Sequence, residues 1–456
     1  MVGSFYTFSD LPTYYDDKLL LKVAREQSGA SASFGLGAAR SVLNSLQEEG
    51  IILNVIPVSV EVEKAECVAM AVGSGFVGSD ELGPETITSV VELKPGTLTR
   101  VCRQLKAEHG IEYVERLPIR YLCATPMAIP PKEADLWNLK RIKWEEARAL
   151  KIKQANDITV AVLDTGIEES HPDLNGRVSL YDHTHPLPNV MGEKDLHGHG
   201  THVAGIVGAV MNNSVGISGI CECNLKIWKI FRDEPQFVSS RNAFSYIVDP
   251  VAYLRALKAC ARESVDVVNL SIGGPGKPSP EERKAVDDLI EKGTTVIAAM
   301  GNERTFGSPV SYPAGIPGVV AVGATSVNDK VTSFSSQGKH ISLCAPGQAI
   351  WSTLPRYPGQ IGFWPKQKKA GSKPEPDLNK PITRETDYDA WNGTSMAAPH
   401  VTGAVALLLA NRGKDTPERV REALETSADR VQGMRARGTP DSDYGAGRLN
   451  LLKLLE

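Results

Sequence analysis

Four short segments of this 456-residue chain carry side chains of the types that activate one another in acyl transfer. Asn392-Gly393-Thr394-Ser395-Met396-Ala397-Ala398-Pro399-His400 runs into the apolar residues 401–410 and sets a serine at the start of a helix. Free N–H groups and the positive end of the helix dipole can stabilise a developing oxyanion there, and Gly393 removes a side chain that would obstruct a substrate. The plainer reading is an N-cap serine. Val160-Ala161-Val162-Leu163-Asp164-Thr165-Gly166 delivers a carboxylate at the end of a buried-type strand. Alone it is equally an Asp capping a strand-to-loop turn, and an aspartic-protease reading would need a second such motif, which the chain lacks. Asp195-Leu196-His197-Gly198-His199-Gly200-Thr201-His202 interleaves imidazoles with glycines at a helix start. It offers a general base, or a zinc cluster, though without the His-Glu-x-x-His pattern or paired cysteines. Ala298-Ala299-Met300-Gly301-Asn302-Glu303 places an amide just past a strand. Each segment has an ordinary structural explanation. Their conjunction supplies a nucleophile, Ser395; a base, His199; an orienter, Asp164; and an oxyanion donor, Asn302.

The elements around these segments must bring them together. Strand-like runs at 159–163, 225–230, 265–270, 295–299 and 319–322 are separated by helical patterns at 202–211, 251–263, 281–292 and 396–411. That alternation predicts a doubly wound, largely parallel α/β sheet, whose loops gather at the carboxyl ends of the strands. Ahead of it, an amphipathic helix over 38–49 closed by Gly50, β-prone stretches at 51–62 and 67–77, a strand at 89–93, a Pro95-Gly96 turn, a helix over 97–109 closed by Gly110 and a strand over 111–122 predict a smaller α+β unit. Helices would cover one face of its antiparallel sheet. The Pro-rich stretch 123–135 marks the boundary, giving a first domain at 1–130 and a second at 134–456. Residues 355–390 interrupt the second domain with prolines and mixed charges, as a solvated loop or as a lid or exosite beside the cleft.

Composition excludes several classes. Fifty Lys and Arg against 54 Asp and Glu give a net charge of -4, with no strong positive field to make nucleic acid a main partner. Apolar residues at 41% and charged residues at 23% are ordinary globular usage. No apolar run reaches the roughly 18 residues of a membrane helix, so no membrane partner is expected. Seven dispersed cysteines read as buried free thiols rather than a disulfide framework. The first residues are acidic and aromatic where a secretory leader would be basic and then apolar; a cytoplasmic location is expected, or a secreted one if a leader has been removed.

Asp164-Thr165-Gly166-Ile167 with His171-Pro172-Asp173-Leu174, His-Gly-Thr-His-Val-Ala-Gly at 199–205, Ser271-Ile272-Gly273-Gly274, Gly301-Asn302, Gly-Thr-Ser-Met-Ala-Ala-Pro-His at 393–400 and Tyr444-Gly445-Ala446-Gly447-Arg448-Leu449-Asn450 occur in one order. In that order residues 134–456 resemble a subtilisin-type serine protease, a subtilase. The resemblance implies that Ser395 Oγ attacks a peptide carbonyl, that His199 takes its proton and returns it to the leaving amine, and that Asp164 orients the imidazole. Asn302 and the Ser395 N–H would hold the oxyanion, with no cofactor for the chemistry. Polypeptide substrates would pair with the edge Ser271-Ile272-Gly273. The first pocket, formed by Ile272, Gly273, Ala299 and Gly301 with Ser311 at its base, would take a small or medium apolar side chain. Residues 208–220 resemble the family's calcium loop, with the carbonyls of Met211, Val215 and Ile217, the Asn213 side chain and the Asp173 carboxylate as ligands and Glu133 offered for the one that remains. The alternative there is a helix C-terminal turn that needs no ion. Residues 1–130 stand where the family carries a propeptide, an intramolecular inhibitor and folding aid whose last strand and tail would lie in the cleft until cut. The alternatives are a stable accessory domain or, in a different class, a peptide-binding or regulatory module with its site permanently blocked.

Overall fold

The computed structural model describes residues 13–24, 34–61, 86–108, 110–126, 136–238, 243–366, 374–435 and 441–456; the expected strand at 67–77, Cys67 and Glu133 lie outside them. The N-terminal unit comprises β1 (Tyr14–Ala24), α1 (Phe34–Glu48), β2 (Ile52–Glu61), β3 (Thr86–Leu93), α2 (Leu98–Lys106) and β4 (Ile111–Pro118). Its strands form an antiparallel sheet in the order β2-β3-β1-β4. Successive side chains on a strand face opposite ways. Leu19, Leu21 and Val23 therefore pack with Leu43, Leu46, Val101 and Leu105 under the unit's own helices. Leu20, Val90 and Ile56 point the other way, onto Val251 and Leu254 of the following domain. Sequence patterning overlooked β1 because Asp16, Asp17, Lys18 and Lys22 interrupt its apolar residues, although both its faces are covered and Lys18 and Lys22 are themselves buried.

Two short extended segments follow, β5 (Tyr121–Leu122) and β6 (Thr125–Pro126), then the helices α3 (Trp137–Arg141) and α4 (Trp144–Ala149). The larger domain continues through β7 (Thr159–Asp164), β8 (Val178–Asp182), α5 (His199–Gly208), β9 (Asn224–Lys229), β10 (Gln236–Val238), β11 (Ala243–Ser245), α6 (Pro250–Arg262), β12 (Val267–Leu270), β13 (Ile272–Gly273), α7 (Pro280–Glu291) and β14 (Thr295–Ala299). It closes with β15 (Val320–Thr325), β16 (Ile341–Pro346), β17 (Ile350–Thr353), β18 (Gln360–Pro365), β19 (Pro376–Thr383), β20 (Tyr388–Asn392), α8 (Thr394–Arg412), α9 (Pro417–Ser427) and α10 (Leu451–Leu455).

Seven of these strands pair in parallel in the order β16-β15-β14-β12-β7-β9-β8. Helices lie on both faces, as expected of a doubly wound sheet. Val160 and Val162 of β7 pack with Val203, Val207, Val401 and Val405 of α5 and α8. Ala161 and Leu163 between them pack with Leu257, Val286 and Leu289 of α6 and α7. The outer pair of helices starts sharply: Asp249 accepts from Ala252 N and Ser279 from Glu282 N, each followed by a proline at the first helical position. Among the described residues no helix is long and apolar enough to cross a membrane.

The insertion 355–390 is more ordered than its sequence suggests. β18 and β19 form an antiparallel hairpin that extends β10 and β11 into a four-stranded sheet, order β10-β11-β18-β19. Of the six prolines that hid this, Pro365 ends β18 and Pro376 and Pro381 lie on β19, an edge strand, where proline is tolerated.

Candidate active site

Asp164 ends β7, His199 opens α5, Asn302 follows β14 and Ser395 is the second residue of α8, so the parallel sheet brings all four to its carboxyl edge. Asp164, His199 and Ser395 are fully buried. Asp164 Oδ1 lies 2.7 Å from His199 Nδ1 and accepts a second hydrogen bond from Thr165 N at 2.7 Å. His199 Nε2 is buried with no hydrogen-bond partner, so the ring's second nitrogen is available to a reacting group. Gly200 makes this approach possible: a Cβ there would collide with the Gly166 carbonyl and press on Asp164 Cβ.

The loop that carries His199 is held by Asp195. This buried carboxylate accepts from Thr165 Oγ1 (2.8 Å), Thr201 Oγ1 (2.7 Å), Thr201 N (3.0 Å) and Gly198 N (2.8 Å). Burial alone would raise its pKa; the donors outweigh burial and hold it below the ordinary carboxylate value. The histidines diverge rather than converge on a shared ligand. His199 faces Asp164, whereas His202 Nε2 lies 3.1 Å from the Asp389 carbonyl and its ring stacks on Trp391 at 5.1 Å. Burial, with the neighbouring His199, pushes His202 down to about 3 and keeps it neutral.

Around the serine, Ser395 Oγ donates to the Ser271 carbonyl at 2.7 Å, and Ser271 Oγ donates back to the Ser395 carbonyl at 2.9 Å. Ser271 thus braces the serine and lies outside the strand ladder at Ile272 and Gly273. Asn302 Oδ1 accepts from Thr394 N and Thr394 Oγ1, both at 3.0 Å, which holds the amide beside the start of α8 through its oxygen. The N–H of Ser395 donates to the Cys123 carbonyl at 3.2 Å.

That last contact places the chain's own backbone in the cleft. Leu122 and Tyr121 pair antiparallel with Ile272 and Gly273, and Val248 N donates to the Arg120 carbonyl at 3.2 Å from the opposite side. Beyond the cleft, Thr125 and Pro126 pair with Asn392 and Trp391. Between these ladders Gly393 has no room for a Cβ, which would strike Cys123 O and Ala124 Cα. Cys123 is buried, with its Sγ 3.0 Å from where a Gly273 Cβ would stand. A Gly273 Cβ would also meet Ser311 Oγ, and a Gly301 Cβ would stand 3.2 Å from Ser311 Cβ, so Gly273, Gly301 and Ser311 line one small space. Ala299 is buried at the end of β14. Sequence reasoning missed Cys123, Asp195 and Thr394; only the unusual Asp in Asp-x-x-x-His, preceding a buried turn, gave a local signal.

Of the residues expected to bind calcium, Asp173 and Asn213 meet, and the main-chain N–H groups of Val215 and Ile217 join them. Asp173 Oδ1 accepts from Asn213 Nδ2 at 2.6 Å, and its Oδ2 accepts from Ile217 N (2.8 Å) and Tyr388 OH (3.1 Å). Asn213 Oδ1 accepts from Val215 N at 3.0 Å, and Met211 is buried where the loop begins. One carboxylate, one side-chain amide and main-chain carbonyls are hard oxygen donors of the kind calcium takes.

A profile of the subtilase family matches residues 155–447, which include all four segments of the site. The chain belongs to the subtilase family. It is 32% identical over 335 residues to subtilisin E of Bacillus subtilis (strain 168), covering 72% of this chain and 73% of that protein. Thermitase of Thermoactinomyces vulgaris is 30% identical over 316 residues, covering 69% of this chain and 94% of the relative. Fervidolysin from Fervidobacterium pennivorans, a keratinolytic enzyme related to subtilisin, superposes with a TM-score of 0.63 at 24% identity. That likeness concerns the fold; it covers 97% of this chain, which spans 61% of the fervidolysin chain. As a subtilase, this protein is a serine endopeptidase that acts on polypeptides.

Proposed function

We propose that this subtilase uses Asp164, His199 and Ser395 as its triad, with Asn302 and the Ser395 N–H as oxyanion donors, and is made as a self-inhibited precursor that cuts its own chain between Cys123 and Ala124. The observation that carries this reading is the 3.2 Å hydrogen bond from Ser395 N to the Cys123 carbonyl, with ladders to Ile272–Gly273 on one side and to Trp391–Asn392 on the other. An extended peptide bound across a sheet edge presents one carbonyl to the nucleophile, and here that carbonyl belongs to residue 123.

In the reaction Ser395 Oγ leaves the Ser271 carbonyl, attacks the Cys123 carbonyl carbon and passes its proton to His199 Nε2. Negative charge develops on the Cys123 oxygen, already facing the Ser395 N–H, with the Asn302 NH2 as second donor. The C–N bond breaks as His199 returns the proton to Ala124 N. Water, deprotonated by the same nitrogen, then releases the acyl group from Ser395. Asp164 keeps Nδ1 protonated and opposes the imidazolium charge throughout.

The cut N-terminal unit would stay in place as an inhibitor. Its sheet buries an apolar face on α6, including Leu20, Val90, Val251 and Leu254. Polar anchors cross between the domains beside that face: Arg232 donates to Glu92 at 2.9 Å and Tyr113 to Glu281 at 2.8 Å. The space beside Cys123, bounded by Gly273 and Ser311, suits a small side chain before the scissile bond. A fluorophosphonate probe, which needs an activated serine, is expected to label Ser395 once the Cys123–Ala124 bond is cut and the N-terminal unit has been degraded. Absence of labelling in that state would instead support a module whose site is permanently blocked.

Calcium at the 208–220 loop is the second part of the proposal. Asp173, Asn213 and the carbonyls of Met211, Val215 and Ile217 would hold the ion, which ties the end of α5 to the HPDL turn. Calcium at about 100 times its Kd is expected to raise Tm by about 4 to 8 °C, and Asp173→Asn to remove that shift, as read by thermal denaturation with and without a chelator. Equal Tm values in calcium and chelator would return the loop to an ion-free turn.

A further inference from the structure

Three residues before Cys123, the extended chain turns a charged side chain into the body of the catalytic domain. Arg120 is almost completely buried, its side chain 2% exposed, and so is its partner Glu282 on α7, at 3%. The two meet as a planar fork, Arg120 Nε to Glu282 Oε1 at 3.0 Å and Arg120 Nη2 to Glu282 Oε2 at 2.7 Å. Arg120 Nη1 donates to the Gly276 carbonyl at 2.8 Å, and Tyr253 OH donates to Glu282 Oε1 at 3.2 Å. Glu282, Tyr253 and the Gly276 carbonyl belong to the catalytic domain, while Leu117, Pro118 and the Ile119 carbonyl, 3.5 Å from Arg120 Nη1, close the space from the N-terminal side. Glu282 is fixed by its place in the first turn of α7, where its own N–H donates to Ser279 Oγ at 3.1 Å.

We infer that Glu282 is a specificity-determining residue that selects substrates carrying arginine at the fourth position before the scissile bond. The inference rests on the proposed reading of Cys123–Ala124 as the bond at the nucleophile, because that reading sets Arg120 at the fourth position. When the N-terminal unit leaves, Glu282 and the Gly276 carbonyl line an empty subsite. A substrate arginine restores the fork and the third hydrogen bond. An apolar side chain of similar length would cover Glu282 without pairing it, and an unpaired buried carboxylate is costly. Lysine brings the charge but not the two parallel donors, so it ranks between the two. The same pairing makes Arg120 an anchor of the cut N-terminal unit, which then occupies the subsite as a product.

The test uses the full chain, incubated until it has processed itself and the N-terminal unit has been degraded, with active sites counted by fluorophosphonate labelling of Ser395. Quenched-fluorescence peptides copy residues 117–126, with Arg, Lys or norleucine in place of Arg120. The Arg peptide is expected to exceed the norleucine peptide in kcat/KM by about 30-fold, with Lys between. Glu282→Gln is expected to shrink that ratio to about threefold or less, and Glu282→Arg to reverse the ranking in favour of a peptide with Glu at that position. Labelled enzyme that turns over the Arg and norleucine peptides within about threefold of each other overturns the specificity assignment and leaves the peptidase reading standing. A Glu282→Gln enzyme that labels and keeps the wild-type ratio overturns it as well. If wild-type protein shows neither labelling nor turnover, the peptidase reading falls and this assignment falls with it.

Discussion

Ser395→Ala protein is expected to persist as one 456-residue chain under conditions in which the wild-type chain separates into a fragment ending at Cys123 and one beginning at Ala124. The effect should be large because Ser395, whose N–H holds the Cys123 carbonyl, is the nucleophile of the proposed reaction. His199 Nε2 has no partner to activate once the hydroxyl is gone, and Asn302 and the Ser395 N–H alone stabilise an oxyanion that no longer forms efficiently. The loss should be about a million-fold in rate, the scale established for subtilisin's own nucleophile and not a value obtained from this protein. The substitution removes one hydrogen bond of the Ser271–Ser395 pair and keeps the other, from Ser271 Oγ to the Ser395 carbonyl. Intact-mass spectra over a time course decide the matter. Cleavage of the variant at the same bond and rate would remove Ser395 from the mechanism, and wild-type cleavage at another bond would remove Cys123–Ala124 from the junction.

Asp164→Asn should slow self-cleavage by about ten-thousand-fold while leaving the chain folded, again on the scale of subtilisin's triad rather than of a measurement on this chain. Asp164 Oδ1 faces His199 Nδ1 at 2.7 Å and also accepts from Thr165 N at 2.7 Å. An amide that keeps its oxygen in the Oδ1 position still accepts from Thr165 N and Nδ1–H but has lost the charge; flipped, it sets its NH2 group against Thr165 N–H and favours the tautomer with Nδ1 unprotonated and Nε2–H. That tautomer cannot accept the serine proton. The missing charge also leaves the imidazolium of the transition state unopposed in a fully buried site, where such charge interactions are poorly screened. The variant should still bind the N-terminal unit, because the docking contacts at Glu92, Glu281 and Glu282 lie elsewhere. Single-turnover cleavage rates together with a melting curve check both halves. A loss below about tenfold with an unchanged Tm would show that Asp164 does not orient the base.

Much of this was legible before any tertiary structure. The short continuous apolar runs of β7, β12 and β14 carry their own evidence, and so do the helical patterns between them, because each is legible in a local window of sequence. The site motifs are legible for a related reason. Gly200 and Gly393 stand where a Cβ would strike Gly166 or Cys123, so the close approach of backbones is written as glycine beside the reacting side chains. Asp164, His199, Asn302 and Ser395 each follow or begin a regular element, and a parallel sheet necessarily brings such positions to one edge.

Other features have no local signature. Arg120 and Glu282 are 162 residues apart, and each reads as a surface charge; only the fork between them, buried by both domains, makes them interior. β1 and β19 were obscured for different reasons, one interrupted by charged residues and the other a proline-bearing edge. Sequence by itself determined the parallel α/β core, the family and the chemical identity of the catalytic side chains, since these depend on local periodicity and on residue types at short spacing. Tertiary structure alone decided which carbonyl meets Ser395 and which acid meets Arg120. Those contacts depend on where the antiparallel N-terminal sheet seats its second apolar face, a packing choice made between distant segments and recorded in neither of them alone.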